Sequence, residues 1–252
     1  MKTLITILAR AGSRGLPGKN IKELCGKPLI RWTMDHAREF SFMRTHASAG
    51  KRRDLVIIAI SSDDPHVKDL VLRYGAYASS QSGIYFIDRP KELAEDDTPK
   101  IESIKHAVIH TEHSLDVEFD TVIDLDVCNP LRGSYHIREA YDQHVKKGDD
   151  ITVSVTPAKR NPYFNQVIID NGGYAGLVAK SEKAIHTRQS CPKVWDLNCN
   201  IYVYDRKVLN DIKSIFDSKK GGIYQMPEWT CTDIDTEEDF LTVRDRMNRI
   251  GA

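Results

Sequence analysis

Residues 3–20 read TLITILARAGSRGLPGKN, and this stretch indicates the kind of fold. Its first part, Thr3–Leu8, is short, apolar and rich in β-branched residues, which is typical of a strand covered on both faces. Further along the chain, similar runs alternate with amphipathic helical patterns. The strands are predicted at Leu55–Ile60 and Thr121–Leu125, and the helices at Leu29–Phe40, Pro65–Tyr74, Pro99–Glu112 and Tyr135–Lys147. This alternation predicts an α/β protein with a parallel-centred sheet and helices on both faces.

The pattern changes after residue 150, where strand signals predominate. They predict strands at Ile151–Val155, Gln166–Ile169 and Ile201–Tyr204. The sequence DNGG at 170–173 is a strong hairpin-turn signal, and a last helix is predicted from Thr236 to Arg249. The length of 252 residues allows one domain, 1–252, with a substantial buried core.

The charge of the chain is balanced, with 36 basic and 36 acidic residues. No overall attraction to nucleic acid or to an anionic membrane is therefore expected, and anion binding has to come from a local site. The cations Lys51–Arg53 lie in a predicted surface loop, THASAGKRR at 45–53. They are a minor candidate for a nucleic-acid contact, and a solvated loop is the favoured interpretation.

The first residues are predicted to form a buried strand and not a signal for export. The first apolar run is broken by Arg10, so that the run is too short for the hydrophobic region of a signal peptide or for a membrane span. The five cysteines (Cys25, Cys128, Cys191, Cys199 and Cys231) show no C-x-x-C spacing, which speaks against a disulfide framework and a zinc site. These features predict a cytoplasmic protein without a membrane partner.

The segment Ala9–Asn20, directly after the first strand, combines glycines with fixed positive charge. Glycines let backbone amides approach a ligand closely, and Arg10, Arg14 and Lys19 suit a polyphosphate. Two common phosphate motifs, G-x-x-x-x-G-K-[ST] and G-x-G-x-x-G, both fail because Ser13 stands where each requires glycine. The loop is therefore predicted to bind phosphates by another arrangement.

Two Asp-x-Asp units supply candidate carboxylates. Asp233 and Asp235 alternate, so that on an extended segment both point to one face, as Mg²⁺ bound to a triphosphate requires. The alternative is that Asp235 only serves the start of the helix at Thr236. Asp124 and Asp126 end a buried strand, which is where ligand sites lie in parallel sheets.

Several motifs together carry a family resemblance. They are ARAGSRGLPGKNIKELCGKPLI (9–30), RPKELAEDDTPK (89–100), DLDVCNPLR (124–132), RNPYFN (160–165), TRQSCPKVWDLN (187–198) and TDIDTEEDF (232–240). The chain resembles the acylneuraminate (CMP-nonulosonic acid) cytidylyltransferases over nearly its whole length. The third, fourth and fifth motifs look most similar to the CMP-legionaminic acid synthetase branch. The resemblance implies a three-layer α/β/α fold with a mostly parallel, mixed sheet, like that of the nucleotide-diphospho-sugar transferases.

The resemblance also implies roles for particular residues. Those implied to bind the nucleotide are Arg10, Ala11, Gly12, Ser13, Lys19, Asn20 and Arg89, with Lys19, Arg10 and Asp235 acting in catalysis. Those implied to bind the acceptor sugar are Asp126, Arg188, Gln189, Asn198 and Tyr202. Asp233 and Asp235 would hold Mg²⁺. The sialic acid enzymes typically carry Gln where Asp126 stands, so that sugar contact and metal contact both stay open for Asp126, and Arg132 is either structural or acceptor-facing.

The implied reaction is the transfer of CMP from CTP to the anomeric hydroxyl of a nine-carbon acidic sugar, with release of pyrophosphate. The implied assembly is a homodimer, with an arm at about 157–190 through which Arg160 or Arg188 would act on the neighbouring subunit. The resemblance leaves open which nonulosonic acid is the acceptor and which group acts as the general base. The alternatives are an enzyme acting on pseudaminic acid or Kdo, and a catalytically silent nucleotide-binding homologue.

Overall fold

The computed structural model describes residues 1–46, 54–77 and 83–251. The strands are β1 (Lys2–Leu8), β2 (Glu23–Leu24), β3 (Lys27–Pro28), β4 (Leu55–Ser62), β5 (Ile84–Asp88), β6 (Thr121–Leu125), β7 (Ile151–Pro157), β8 (Val167–Ile169), β9 (Ala175–Leu177), β10 (Trp195–Asp205) and β11 (Gly221–Gln225). The helices are α1 (Leu29–His46), α2 (Pro65–Tyr77), α3 (Lys100–Leu115), α4 (Ser134–Lys147), α5 (Arg206–Leu209) and α6 (Glu237–Ile250).

Seven strands form the central sheet, in the order β11-β7-β10-β6-β1-β4-β5. β10 runs antiparallel to both of its neighbours, and the other pairings described within this sheet are parallel. The predicted mostly parallel, mixed sheet is thus confirmed. Because β1, β4 and β6 are adjacent and parallel, the segments that follow them meet at one edge of the sheet.

Helices cover both faces of this sheet. α1, α2, α4 and α6 contribute to the core on one face, and α3 and α5 contribute to the core on the other. The alternation of side chains along a strand explains the division: Ile5 and Ile7 of β1 enter the first core, and Leu4 enters the second. Since both faces of β1 are covered, its sequence is almost continuously apolar. The three-layer α/β/α prediction is confirmed.

A small hairpin lies apart from the central sheet. Its strands β8 and β9 pair antiparallel, and the predicted turn at 170–173 joins them. The Gly173 N–H donates to the Asp170 carbonyl oxygen at 3.0 Å, and Gly173 adopts a φ of 82°, which glycine tolerates without strain. The hairpin falls within the predicted arm at about 157–190.

Some boundaries differ from the sequence prediction. α1 runs six residues beyond Phe40, to His46, and β10 begins at Trp195 instead of Ile201. The edge strands β5 and β11 were not predicted, because each is short and carries few core side chains. Of the predicted surface loop 45–53, residues 47–53 lie outside the described residues, and so do the cations Lys51–Arg53.

A buried histidine at the start of α4 makes stability depend on pH. His136 is 1% exposed, and its Nδ1 accepts the Gly133 N–H at 3.0 Å. Burial, aided by the nearby Arg132, lowers the pKa of His136 to about 4. The unfolded chain, with a histidine pKa near 6.5, therefore takes up this proton first, and the free energy of unfolding falls as the pH drops from about 6.5 to about 4.

The variant His136→Gln is expected to reduce the slope of the free energy of unfolding against pH by up to about 1.4 kcal/mol per pH unit, which is the value for one proton. Urea denaturation between pH 4.5 and 7.5 measures it. The exposed His113 on α3 provides the control, since His113→Gln is expected to leave the slope unchanged. Equal slopes for wild type and His136→Gln would contradict the assignment.

Candidate active site

A cavity of about 480 Å³ lies at the carboxyl ends of β1, β5 and β6. The segments that follow these strands line it, together with the end of the chain just before α6. Its described lining includes Arg10, Ser13, Arg14, Gly15, Lys19, Asn20, Arg89, Asp96, Lys100, Asp126, Cys128 and Asp235. The structure thus brings together most of the residues predicted for the nucleotide and one predicted for the metal.

The loop after β1 is held in place by hydrogen bonds and by one close approach. The Asn20 side chain donates to the Arg10 carbonyl oxygen at 2.9 Å and closes the loop, and the Ala11 N–H donates to Asp63 at 2.8 Å. A Cβ placed on Gly15 would lie 2.2 Å from the Asp235 carbonyl oxygen. Only glycine fits there without a shift of backbone, since a 2.2 Å contact is far inside van der Waals distance.

Lys19 joins this loop to the carboxylate pair near the end of the chain. Its ammonium donates to the Ile234 carbonyl oxygen at 2.6 Å and to Asp235 at 3.1 Å. Burial alone would lower the pKa of Lys19, but the charge and the hydrogen bond of the Asp235 carboxylate act against burial, and the pKa is raised. Lys19 therefore keeps its charge inside the cavity, where a phosphate would meet it.

Asp233 and Asp235 flank the fully buried Ile234 and both remain exposed, as alternation along an extended segment requires. Partial enclosure of its carboxyl group, together with the charges of Asp126 and Asp235, raises the pKa of Asp233 to about 6. A divalent cation would relieve this repulsion. Thr236, which accepts the Asp239 N–H, caps α6, so that the carboxylate of Asp235 is not used for capping.

The donor set fits Mg²⁺. One ligand atom each from Cys128, Asp233 and Asp235 lies within 4.8 Å of the others. Two carboxylates on one side leave room for water and phosphate oxygens, which is how Mg²⁺ is commonly held. Burial raises the pKa of the Cys128 thiol, which therefore stays protonated and is a poor ligand for a hard cation. The carboxylates are thus the two protein ligands that suit magnesium.

Two cations of the loop are paired in this structure with an acid that the sequence did not single out. Arg10 contacts Asp96 at 2.7 Å, and Arg14 contacts the same carboxylate. A triphosphate would compete with Asp96 for both guanidinium groups. Arg89 also lines the cavity and is 7% exposed, with its guanidinium donating to the Ser61 carbonyl oxygen at 2.7 Å.

Lys100, the first residue of α3, was likewise missed. Its ammonium lies 2.8 Å from Asp124 and 3.0 Å from Asp126. Asp124 is completely buried and also accepts the Thr6 hydroxyl at 2.8 Å. Burial alone would raise the pKa of Asp126, but Lys100 and the Cys128 N–H lower it to about 2. Asp126 is therefore a carboxylate at neutral pH. The motif RPKELAEDDTPK (89–100) was a sequence signal for Lys100, because this motif leads into a helix whose first turn faces the site.

Comparison with known proteins agrees with this geometry. Residues 4–240 match the family described as Cytidylyltransferase. The chain belongs to the cytidylyltransferase family. It is 34% identical to the post-translational flagellin modification protein B of Campylobacter coli and 34% identical to the CMP-N,N'-diacetyllegionaminic acid synthase of Campylobacter jejuni, each time over 95% of this chain and 92% of the relative. The prediction of a nucleotidyltransferase is confirmed.

The fold agrees with a solved structure of CMP:2-keto-3-deoxy-manno-octonic acid synthetase complexed with CTP. The TM-score is 0.64 at 18% identity, with 99% of this chain and 100% of that chain covered. At this identity the likeness concerns the fold.

The cytidylyltransferase chain brings only part of the predicted acceptor set to the cavity. Asp126 lines it, whereas Asn198, Tyr202, Arg188 and Gln189 lie outside its described lining. Asn198 accepts the Ser154 hydroxyl at 2.5 Å, and Tyr202 lies with its ring 5.0 Å from the Lys100 ammonium. Arg188 donates to the Lys159 carbonyl oxygen at 3.0 Å. The acceptor roles of these four residues stay predictions, as does the nucleotide-binding role of the exposed Gly12.

Arg132 has a structural role in this cytidylyltransferase. It is 1% exposed, and its guanidinium donates to the Asn200 side chain at 2.7 Å, the Thr33 hydroxyl at 2.7 Å and the Asp126 carbonyl oxygen at 2.8 Å. Of the two alternatives for Arg132, the structural one is therefore supported. It ties the segment after β6 to α1 and β10 and so fixes the backbone that carries Asp126.

Proposed function

We propose that this chain transfers CMP from CTP to the anomeric hydroxyl of a nonulosonic acid and releases pyrophosphate. The observation that carries the proposal is the contact of Lys19 with Ile234 and Asp235, which joins the cationic loop Ala9–Asn20 to the segment that carries Asp233 and Asp235. Of these two carboxylates, Asp235 lines the cavity. A nucleoside triphosphate complexed with Mg²⁺ requires cations that bind its phosphates and a pair of hard oxygen ligands on one side of the metal. The relative named CMP-N,N'-diacetyllegionaminic acid synthase supports the acceptor class.

In the proposed reaction, the acceptor hydroxyl attacks the α-phosphorus and pyrophosphate leaves in line. Transfer of this kind depends on positioning and on neutralisation of charge more than on covalent help. Lys19, Arg10 and Arg14 line the cavity and would bind the leaving pyrophosphate, and Arg89, in the same lining, would contact the nucleoside. Mg²⁺, held by Asp233 and Asp235, would supply further neutralisation of the triphosphate when bound. With a pKa of about 2, Asp126 is a weak proton acceptor, and its carboxylate suits hydrogen bonding to the sugar.

The decisive experiment measures pyrophosphate release with CTP and a panel of legionaminic, sialic, pseudaminic and 3-deoxy-manno-octulosonic acids. We expect turnover with CTP and a nine-carbon acid, loss of turnover with EDTA, and recovery on addition of Mg²⁺. Turnover with the eight-carbon acid alone would favour the related-acceptor alternative. The absence of turnover with every pairing, together with retained CTP binding, would identify a catalytically silent homologue.

We further propose that the protein forms a homodimer through the arm at about 157–190. The hairpin β8–β9 exposes large apolar side chains, among them Ile169 at 66% and Tyr174 at 75%. Exposed large apolar side chains concentrated in one short hairpin suit a contact with another protein surface. In such a dimer Arg160 or Arg188 of the partner subunit would reach the cavity, in keeping with the position of Arg188 outside the described lining within one chain.

The variant Ile169→Asp is expected to weaken dimerisation at least tenfold, because a charge would be buried at an apolar contact. Sedimentation velocity over a concentration series measures the association. Leu72→Asp, which changes an exposed leucine on α2, is the matched control and should leave association unchanged. Mixtures of Arg188→Ala and Lys19→Ala protomers test the shared site: recovered activity supports it, and none contradicts it.

We place the protein in the cytoplasm. All five cysteines are free, which suits a reducing compartment. No helix of the described residues combines the length and apolar character needed to cross a membrane.

A further inference from the structure

The cavity contains a lysine, Lys100, that lies between two aspartates and has no role in the proposed chemistry. Lys100 contacts Asp124 at 2.8 Å and Asp126 at 3.0 Å, and its ammonium lies 5.0 Å from the centre of the Tyr202 ring. The three contacts define one position for a side chain that is otherwise flexible. Its backbone is fixed as well, because Lys100 is the first residue of α3 after Pro99.

The two aspartates of this group differ in what they can do. Asp124 is fully buried, accepts the Thr6 hydroxyl and forms an ion pair with Lys100, so that it faces protein. Asp126 has a quarter of its side chain exposed, 25%, and lines the cavity. One oxygen of Asp126 accepts the Cys128 N–H at 3.0 Å, and the other accepts Lys100 at 3.0 Å. Since a carboxylate oxygen accepts more than one hydrogen bond, both oxygens keep acceptor capacity for a ligand.

We propose that Lys100 is a positioning residue that orients Asp126 to accept hydrogen bonds from a hydroxyl or amide N–H group of the acceptor sugar. The inference rests on the proposed function and deepens it. Two carboxylates and one ammonium leave this group with an excess negative charge, which repels the carboxylate of the acid sugar and favours its donor groups. Lys100 and Asp126 thereby determine which end of the acceptor faces α3.

Electrostatics explains why Asp126 needs this partner. Asp124 and Asp126 contact the same ammonium, and Asp235 lines the same cavity as Asp126, so that these negative charges repel one another. Without Lys100, Asp126 would relieve the repulsion by turning away or by taking up a proton. Either change removes an oriented acceptor from the sugar side of the cavity and leaves the cationic loop around Lys19 untouched.

The test is a double-mutant cycle of wild type, Lys100→Met, Asp126→Asn and the double variant, with kcat and both KM values measured. Lys100→Met is expected to raise KM for the acceptor about 10- to 100-fold, as expected for a lost hydrogen bond to a charged group. KM for CTP should stay within twofold. The double variant should be no worse than Asp126→Asn alone, because both changes remove the same interaction. Lys100→Arg should recover acceptor KM to within threefold of wild type.

A purely structural role for Lys100 gives a different pattern. Additive effects in the cycle, an equal rise in both KM values, or an unchanged acceptor KM would each overturn the proposal. If Lys100→Met does not fold, Lys100→Gln takes its place in the cycle, since it keeps a donor and lacks the charge. Lys105→Met, a change at an α3 lysine that pairs with Glu102 outside the described lining, is the matched control.

The proposed function and the proposed role of Lys100 can be told apart by their failures. Wild-type turnover with an additive cycle overturns only the role of Lys100. The absence of wild-type turnover with every acceptor overturns the proposed function, and the role of Lys100 with it.

Discussion

Replacing Lys19 with methionine is expected to lower kcat/KM for CTP about a thousandfold, or about 4 kcal/mol of transition-state stabilisation. The Lys19 ammonium is the buried cation of the cavity that contacts both the segment before α6 and the carboxylate of Asp235. Its loss removes a charge that faces the triphosphate and leaves the Ile234 carbonyl oxygen without this donor. Steady-state kinetics of pyrophosphate release measures the effect, and calorimetry of CTP binding separates affinity from turnover.

Lys22, on the next turn of the chain, provides the matched control. It pairs with Glu237 and lies 4.6 Å from the Phe240 ring, outside the described lining of the cavity. Lys22→Met should change kcat/KM less than twofold. If folded Lys19→Met keeps more than a tenth of the wild-type kcat/KM, Lys19 is not the central cation of the site.

The variant Gly15→Ala is expected to lower kcat/KM about a hundredfold. The added Cβ would stand 2.2 Å from the Asp235 carbonyl oxygen and 3.3 Å from its carbonyl carbon. Because these are backbone atoms, either the loop or the segment that carries Asp235 has to move. A displacement of about 1 Å in reacting groups commonly costs a hundredfold in rate. The same kinetic assay measures it, and the melting temperature reports any general loss of stability.

Gly221 in β11 is the matched glycine. A Cβ there meets no atom of the described residues within 4 Å, so that Gly221→Ala should leave activity and melting temperature nearly unchanged. If Gly15→Ala retains wild-type CTP affinity and rate, the close approach of loop and carboxylate segment is not required for function.

The layers of the fold could be predicted from the sequence because they depend on local pattern. Thr3–Leu8 and Thr121–Leu125 are apolar on both faces, and this alone indicates strands in the middle of a covered sheet. β5 and β11 escaped prediction because edge strands need fewer apolar side chains. The position of β10 between β6 and β7 also depends on pairing across the chain, which periodicity does not contain.

In the site too, local motifs could be predicted from the sequence, and contacts between distant segments could not. Lys19 and Asp235 were predicted because each belongs to a motif with recognisable chemistry, and the structure joins them. Asp96 and Lys100 belong to motifs that the resemblance covered, but their roles as ion-pair partners depend on which strand ends become neighbours. The magnesium ion, the dimer, the extent of the domain and the acceptor contacts of Arg188 and Gln189 stay predictions.

The hydrogen bond between Lys19 and Ile234 has a consequence for biosynthesis. It joins positions that are 215 residues apart, so that the loop after β1, which carries Lys19, emerges from the ribosome long before Ile234 has been synthesised. β1 and its neighbours can begin to pack during synthesis, since domains fold from the N-terminus as the chain grows. The loop, however, gains its anchor only when residue 234 has been released from the exit tunnel. A nascent chain therefore lacks the contact that holds Lys19 in place until its synthesis is nearly complete.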